Sequence, residues 1–243
     1  MGISRYVWML AAMVTILVGC GGGDDGGEPA APVAAQAPLV APGSWAVMGS
    51  SSAQGTGASA GHGWAALLQA RVQGVGVSMG NLAKGGSVTY EGLSASASPT
   101  PNRPPPDAQH NVDAALSGKP RLLVLSYPTN DSALGYTADE TVRNLLAMRA
   151  TAQAAGAAVL LLSTQPRNMA PDLLARLLAI DAQLTSAVGA CFVQVREALA
   201  GPDGKLAPAY DAGDGVHPND AGHAVILERV LATLDAGQCV RLK

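Results

Sequence analysis

The chain has 243 residues, of which 48% are hydrophobic, 4% aromatic and 14% charged, with a formal net charge of −3. It carries no basic stripe, Lys/Arg cluster or zinc-finger spacing, which argues against nucleic acid as a partner. Beyond an N-terminal leader, roughly 200 residues remain, enough for one domain with a full core.

The N-terminus reads as an export signal. Arg5 precedes an apolar run, residues 6–18, too short for a comfortable membrane span. The run ends in Leu17-Val18-Gly19-Cys20, which resembles a bacterial lipobox. That resemblance implies that residues 1–19 are removed and Cys20 is lipidated. An ordinary signal peptide or an uncleaved anchor are the alternatives. Gly21 follows the cysteine, so the aspartate linked to inner-membrane retention is absent, and the outer membrane, facing the periplasm, is the expected location. Residues 21–42 are Gly, Ala, Pro and Gln with few charges, and are expected to bury nothing. As a flexible tether completing segment 20–42, they would reach roughly 25 Å. The domain is then expected over 43–243. No other run of 18 apolar residues follows the leader, so no further membrane span is expected.

Five short apolar runs read as buried strands: 44–48, 75–79, 121–126, 158–163 and 191–196. Helical patterns separate them. Trp64, Leu67, Leu68 and Val72 share one helical face. Thr137 and Glu140 have capping-box spacing ahead of Val142, Leu145 and Leu146, with Gly156 as a stop. Pro171 suits a first helical position before Leu174, Leu177 and Leu178, and Gly189 ends that pattern. A last helix covers about 220–235, while the Pro- and Ser-rich stretch 94–110 reads as a surface loop, a lid or a pocket wall. Strands alternating with helices imply right-handed crossovers and an α/β fold, a parallel sheet with helices on both faces. In that fold Cys191 opens the last strand, and Cys239 follows the helix that runs back to the same end. The pair is compatible either with a disulfide in an oxidising compartment or with two buried thiols.

Ligands in open α/β sheets bind at the carboxyl ends of the strands, and the unusual polar residues fall there. The first strand runs into Gly49-Ser50-Ser51-Ser52, the second into Asn81-Leu82-Ala83-Lys84-Gly85-Gly86, and the third into Pro128-Thr129-Asn130-Asp131. Asp214-Gly215-Val216-His217 stands before the last helix. Ser51, on a glycine-flanked turn, can serve as nucleophile, His217 as its base, and Asp214 as the group that holds the imidazole. The backbone N–H groups of Ser51 and Gly86 and the side chain of Asn130 can meet a developing oxyanion. Each segment alone is weak: a Gly/Ser turn, a helix cap or a capping Asp is the commoner reading.

The four segments in this order resemble the SGNH (GDSL-like) hydrolase family over about residues 44–235. The resemblance implies a flavodoxin-like three-layer fold with a five-stranded sheet in order 2-1-3-4-5. It also implies hydrolysis of carboxylic esters through an acyl-enzyme, without cofactor or metal. Ser163-Thr164-Gln165-Pro166-Arg167 resembles the family as well. Ser50 replaces the usual Asp and Pro128 the usual Gly, and Lys84 is an unusual neighbour expected to influence leaving-group preference. Ser50 and Ser52 are expected to hydrogen-bond the turn backbone. His62, placed on the first helix, His110 and His223 are expected to be solvated or packed imidazoles.

Three activities fit this pattern. The first is an esterase of short-chain or acetyl esters, small molecules or acetylated glycans. The second is a lipase, thioesterase or lysophospholipase at the nearby membrane. The third is a catalytically silent SGNH-fold lipoprotein that binds a partner, although such binders usually lose the Ser or the His that this chain keeps.

Overall fold

The computed structural model describes residues 36–242. Cys20, the signal segment 1–19 and the first part of the expected tether lie outside the described residues.

Five parallel strands form one sheet in the order β2-β1-β3-β4-β5. They are β1 (Gly43–Gly49), β2 (Val77–Asn81), β3 (Leu122–Ser126), β4 (Ala158–Leu162) and β5 (Phe192–Val193). The helices are α1 (Ser51–Gln54), α2 (Trp64–Gln73), α3 (Thr89–Gly92), α4 (Val112–Ser117), α5 (Asn130–Ala133), α6 (Ala138–Ala154), α7 (Pro171–Val188), α8 (Arg196–Leu199) and α9 (Asp220–Ala236). Strand side chains alternate between faces, so each strand feeds two cores. Trp45, Val47, Leu122, Val124, Leu160 and Leu162 pack with Trp64, Leu68 and Val72 of α2 and Ile226, Val230 and Leu234 of α9. Ala46, Met48, Leu123, Leu125, Val159 and Leu161 pack on the other side with α4, α6 and α7. The three-layer expectation and the strand order both hold.

The helix signals act as read. Thr137 caps α6 and exchanges hydrogen bonds with Glu140, and Pro171 occupies the first turn of α7. By length and composition Pro171–Cys191 would also pass for a membrane-crossing helix. In the fold its Leu177, Ile180 and Leu184 are buried with the strand residues Leu161 and Phe192.

Several boundaries move for local reasons. The second strand starts at Val77 because Gly76 turns with a φ of 77°. The last strand is short: Ser163 Oγ accepts hydrogen bonds from the N–H groups of Val195 and Arg196, which draws the chain off the ladder into α8. Cys191 ends a 3-10 turn instead of opening the strand. The short helices α1, α3, α4, α5 and α8 hold too few residues to show a period. His62 lies before α2, not on it, and its Nδ1 faces Ser59 Oγ. The expectation that 21–42 buries nothing fails at its end. Val40 and Ala41 are buried, the Val40 carbonyl accepts from the Trp45 indole, and Leu39 pairs with Arg241.

Cys191 and Cys239 are joined by a disulfide across 48 positions, tying the 3-10 turn before β5 to the segment after α9. Closing a loop of that length removes about 4 kcal/mol of chain entropy from the unfolded state. Replacing Cys239 by Ser is expected to lower the free energy of urea unfolding by about 2–5 kcal/mol. A reductant should then shift the midpoint of the parent chain but not that of the variant.

Candidate active site

The carboxyl ends of β1, β2 and β3 converge with the loop before α9. Ser51 is the first residue of α1, one residue past the end of β1 at Gly49, with Ser50 as the N-cap between them. Gly49 is required beneath it, because a Cβ there would lie 2.1 Å from the Ser126 carbonyl oxygen of β3. The Ser51 hydroxyl donates to His217 Nε2 at 2.9 Å. His217 Nδ1 donates to Asp214 Oδ2 at 2.6 Å, and Asp214 Oδ1 accepts from the N–H groups of Val216 and His217 at 2.8 Å each. Partial burial raises the Asp214 carboxyl, but these donors outweigh it and hold it down to about 2. Asp214 is therefore ionised at any pH near neutrality, as an orienting group must be. The arrangement fixes the tautomer with its proton on Nδ1 and leaves Nε2 to accept from serine.

The expected oxyanion donors adjoin this set. The β1–β2 pairing continues past the strand ends, with Leu82 N–H donating to the Val47 carbonyl and Lys84 N–H to that of Gly49. Asn81 Nδ2 donates to the Ala53 carbonyl. These bonds hold the glycine turn against α1. Gly86 turns with a φ of 79°, and its N–H meets no acceptor among the described residues. Asn130 opens α5, and its Nδ2 donates to the carbonyl of Ser87 at 2.9 Å, so the side chain stands beside the Gly86 segment. Buried Asp131 accepts from the N–H and hydroxyl of Thr89, which ties the two segments together. Burial pushes the Asp131 carboxyl up in spite of these donors.

Other expectations are revised. Lys84 does not reach toward a leaving group: its Nζ is paired with Glu91 at 3.1 Å and Asp107 at 2.7 Å. Ser52 donates to Gln165 Oε1 instead of to backbone, and the buried Ser50 hydroxyl has no partner among the described residues. His223 is a packed imidazole. Its Nε2 donates to the Thr56 carbonyl and its Nδ1 accepts from Trp64 N–H. Burial lowers its pKa, which favours this neutral form. His110 ends the Pro-rich loop, with Nδ1 on the Leu82 carbonyl. Among the described residues, no group of three or more His, Cys, Asp or Glu is placed to hold a metal ion.

The turn after β4, which in the sequence carries only a likeness, touches the segments of Ser51, Asn130 and His217. Gln165 bonds Ser52, the Arg167 guanidinium lies 3.4 Å from Thr129 Oγ1, and Asn168 N–H donates to the Gly215 carbonyl. The turn is braced from below by a buried ion pair, Arg196–Asp181 at 2.9 Å. Thr164 donates to Asp181 through both its N–H and its hydroxyl, and Arg196 Nη2 donates to the Gln165 carbonyl. No local pattern marks Gln165 or Arg167, since their partners are more than 30 positions away.

A parallel three-layer sheet with a hydrogen-bonded Ser-His-Asp set at its carboxyl edge defines a serine hydrolase of the SGNH type, acting on carboxylic esters. The chain belongs to the GDSL-like lipase/acylhydrolase family, whose model matches residues 47–225. It is 30% identical over 196 residues to esterase TesA of Pseudomonas aeruginosa, covering 77% of this chain and 86% of the relative. A crystal structure of TesA superposes with a TM-score of 0.62 at 27% identity, covering 80% of this chain and 99% of the other. The psychrotrophic esterase EstA from Pseudoalteromonas shares the fold at 20% identity and a TM-score of 0.56, over 79% of this chain and 96% of its own.

Asp181→Asn should leave the Arg196 charge buried without its partner. The expected cost is about 3–5 kcal/mol in denaturant unfolding, with activity lost in step because the braced turn carries Gln165 and Arg167.

Proposed function

We propose that the chain hydrolyses short-chain or acetyl esters, including those of acetylated glycans, through an acyl-enzyme on Ser51. The observation that carries this is the continuous Ser51–His217–Asp214 hydrogen-bond chain. His217 takes the Ser51 proton as Oγ attacks the ester carbonyl. The oxyanion then meets the N–H groups of Ser51 and Gly86 and the free amide hydrogen of Asn130. His217 returns the proton to the leaving alcohol as the carbonyl reforms. Water, deprotonated by the same imidazole, attacks the acyl-enzyme and frees the acid and Ser51 Oγ. Asp214 stabilises the imidazolium in both halves.

The short-acyl preference has its own support. Two apolar cavities of about 240 and 320 Å³ lie under the Pro-rich loop and beside α7. Neither is lined by Ser51, Gly86, Asn130 or His217, so neither offers a slot for a long chain at the reacting carbon. The Pro-rich loop is pinned by Arg103–Glu140 and Lys84–Asp107 ion pairs, which suits a fixed wall better than an opening lid. The intact Ser-His pair speaks against a silent binding protein.

A fluorophosphonate probe should label the parent chain, with the modified peptide containing Ser51. Ser51→Ala should lose both the label and nitrophenyl acetate hydrolysis, and a variant that retained the parental rate would remove Ser51 from the mechanism. Asn130→Ala should lower kcat by about 10²–10³ with a smaller change in KM. Within a nitrophenyl ester series the rate should peak at acetate to butyrate, and a peak at long chains would favour the lipase or thioesterase reading.

Cys20, in the lipobox-like segment, is proposed as the site of a lipid anchor to the periplasmic face of the outer membrane. Cys20→Ser should move the expressed protein from the membrane fraction to the soluble one, and unchanged membrane recovery would refute the anchor.

A further inference from the structure

The other cations around the site are committed. Lys84 is paired with two carboxylates, Arg103 with Glu140 and Arg196 with Asp181. Arg176 donates to the carbonyls of Ser132 and Tyr136. Arg167 differs. It is half-buried and has no carboxylate partner among the described residues. Its one polar contact among the described residues is a 3.4 Å approach to the Thr129 hydroxyl, which leaves most of its five donors unspent there.

Its position is set from three sides. Two residues before it, Gln165 holds Ser52, the neighbour of Ser51. One residue after it, Asn168 holds Gly215, two positions before His217. Its own guanidinium rests on Thr129, the residue before Asn130. A guanidinium so placed stands at the rim of the reacting centre, on a turn fixed from beneath by the Asp181–Arg196 pair. A partly desolvated charge without a counterion is unfavourable until a ligand supplies one, and a guanidinium fork matches a carboxylate in two-point geometry.

We infer that Arg167 is the specificity cation of this site, holding a carboxylate borne by the ester substrate while its ester group meets Ser51. The inference rests on the reading of Ser51 as nucleophile and deepens it: preferred substrates are acidic esters. The anion stands on the acyl or on the alcohol portion, and paired probes separate the two. 4-Nitrophenyl hemiadipate against 4-nitrophenyl hexanoate tests the acyl side, and 4-acetoxybenzoate against its methyl ester tests the alcohol side. For one pair the parent chain should favour the charged member in kcat/KM. Arg167→Gln should reduce that charged-to-neutral ratio about tenfold or more, mainly through KM, and Arg167→Lys should recover part of it. Added salt should lower the parental ratio and leave that of Arg167→Gln nearly flat.

Equal losses on charged and neutral esters in Arg167→Gln would overturn the inference, as would a parent chain that shows no charge preference in either pair. Ser51→Ala keeps the two readings apart. If it retains hydrolysis, the nucleophile assignment fails; if it is inactive while the charge ratio is indifferent to Arg167, only the carboxylate subsite fails.

Discussion

Parallel pairing delivers the carboxyl ends of all five strands to one edge of the sheet, and the placement of Ser51, Gly86 and Asn130 follows from that constraint. Residues of β1 pair with those of β3 up to Gly49 and Ser126, so the chain must leave both strands at the same height. Ser51 and Asn130 then open short helices just beyond those two strand ends. The glycine turn after β2 reaches the same level because its N–H groups continue the β1 ladder. Asp214 and His217 come from outside the sheet, on the loop that enters α9. The hydrogen bond from Ser51 to His217 spans 166 positions in the chain. It forms because α2 and α9 pack together on the sheet face that carries Trp45 and Val47 of β1, the strand that leads into Ser51.

Donors that are already aimed need no reorganisation when charge develops, and the polar groups around Ser51, Gly86 and Asn130 are held by two buried clamps. Asp131 clamps Thr89 and thereby the Gly86 turn, while the Arg196–Asp181 pair clamps Thr164 and the turn that follows it. A buried ion pair contributes little net stability compared with apolar packing. Its value in this fold is positional: it fixes a turn that touches the neighbours of Ser51, Asn130 and His217. His223 does similar work on the opposite flank. Its neutral ring bridges Thr56 and Trp64 and so holds the loop between α1 and α2 against α9. Gly57 in that loop lies so close to His217 that a Cβ would stand 2.9 Å from His217 Cβ.

The long Pro-rich segment is irregular in conformation yet tied at several points. Arg103 pairs with Glu140 and lies over the Tyr136 ring at 4.0 Å, while Tyr90 meets Tyr136 edge-on. Burial raises the Glu140 carboxyl, but Thr137, Arg103 and the Tyr90 hydroxyl outweigh it and hold it down to about 2. A carboxyl lowered in the folded state adds stability above its ordinary 4.5, and that contribution fades as pH falls through about 2. The clamp is therefore intact throughout the neutral range, and the loop is a fixed shoulder of the domain.

Alternating apolar runs and helix-period segments were sufficient to read the layers, because strand and helix periods are local and repeat along the chain. The capping box at Thr137, Pro171 at a helix start and the ordered segments with Ser51, Asn130 and His217 were legible for the same reason: each signal spans a few neighbouring residues. The tertiary structure alone decided what meets across long separations. It committed Lys84 to two carboxylates, turned Ser52 toward Gln165 and left Arg167, among the described residues, beside Thr129 without a carboxylate partner. It also drew Val40 and Ala41 into the core and bridged Cys191 to Cys239 where the sequence left two readings open. Such contacts depend on which strand ends and loops the topology brings within hydrogen-bond reach, and a residue's partner across the sheet leaves no mark on its own neighbours in the chain.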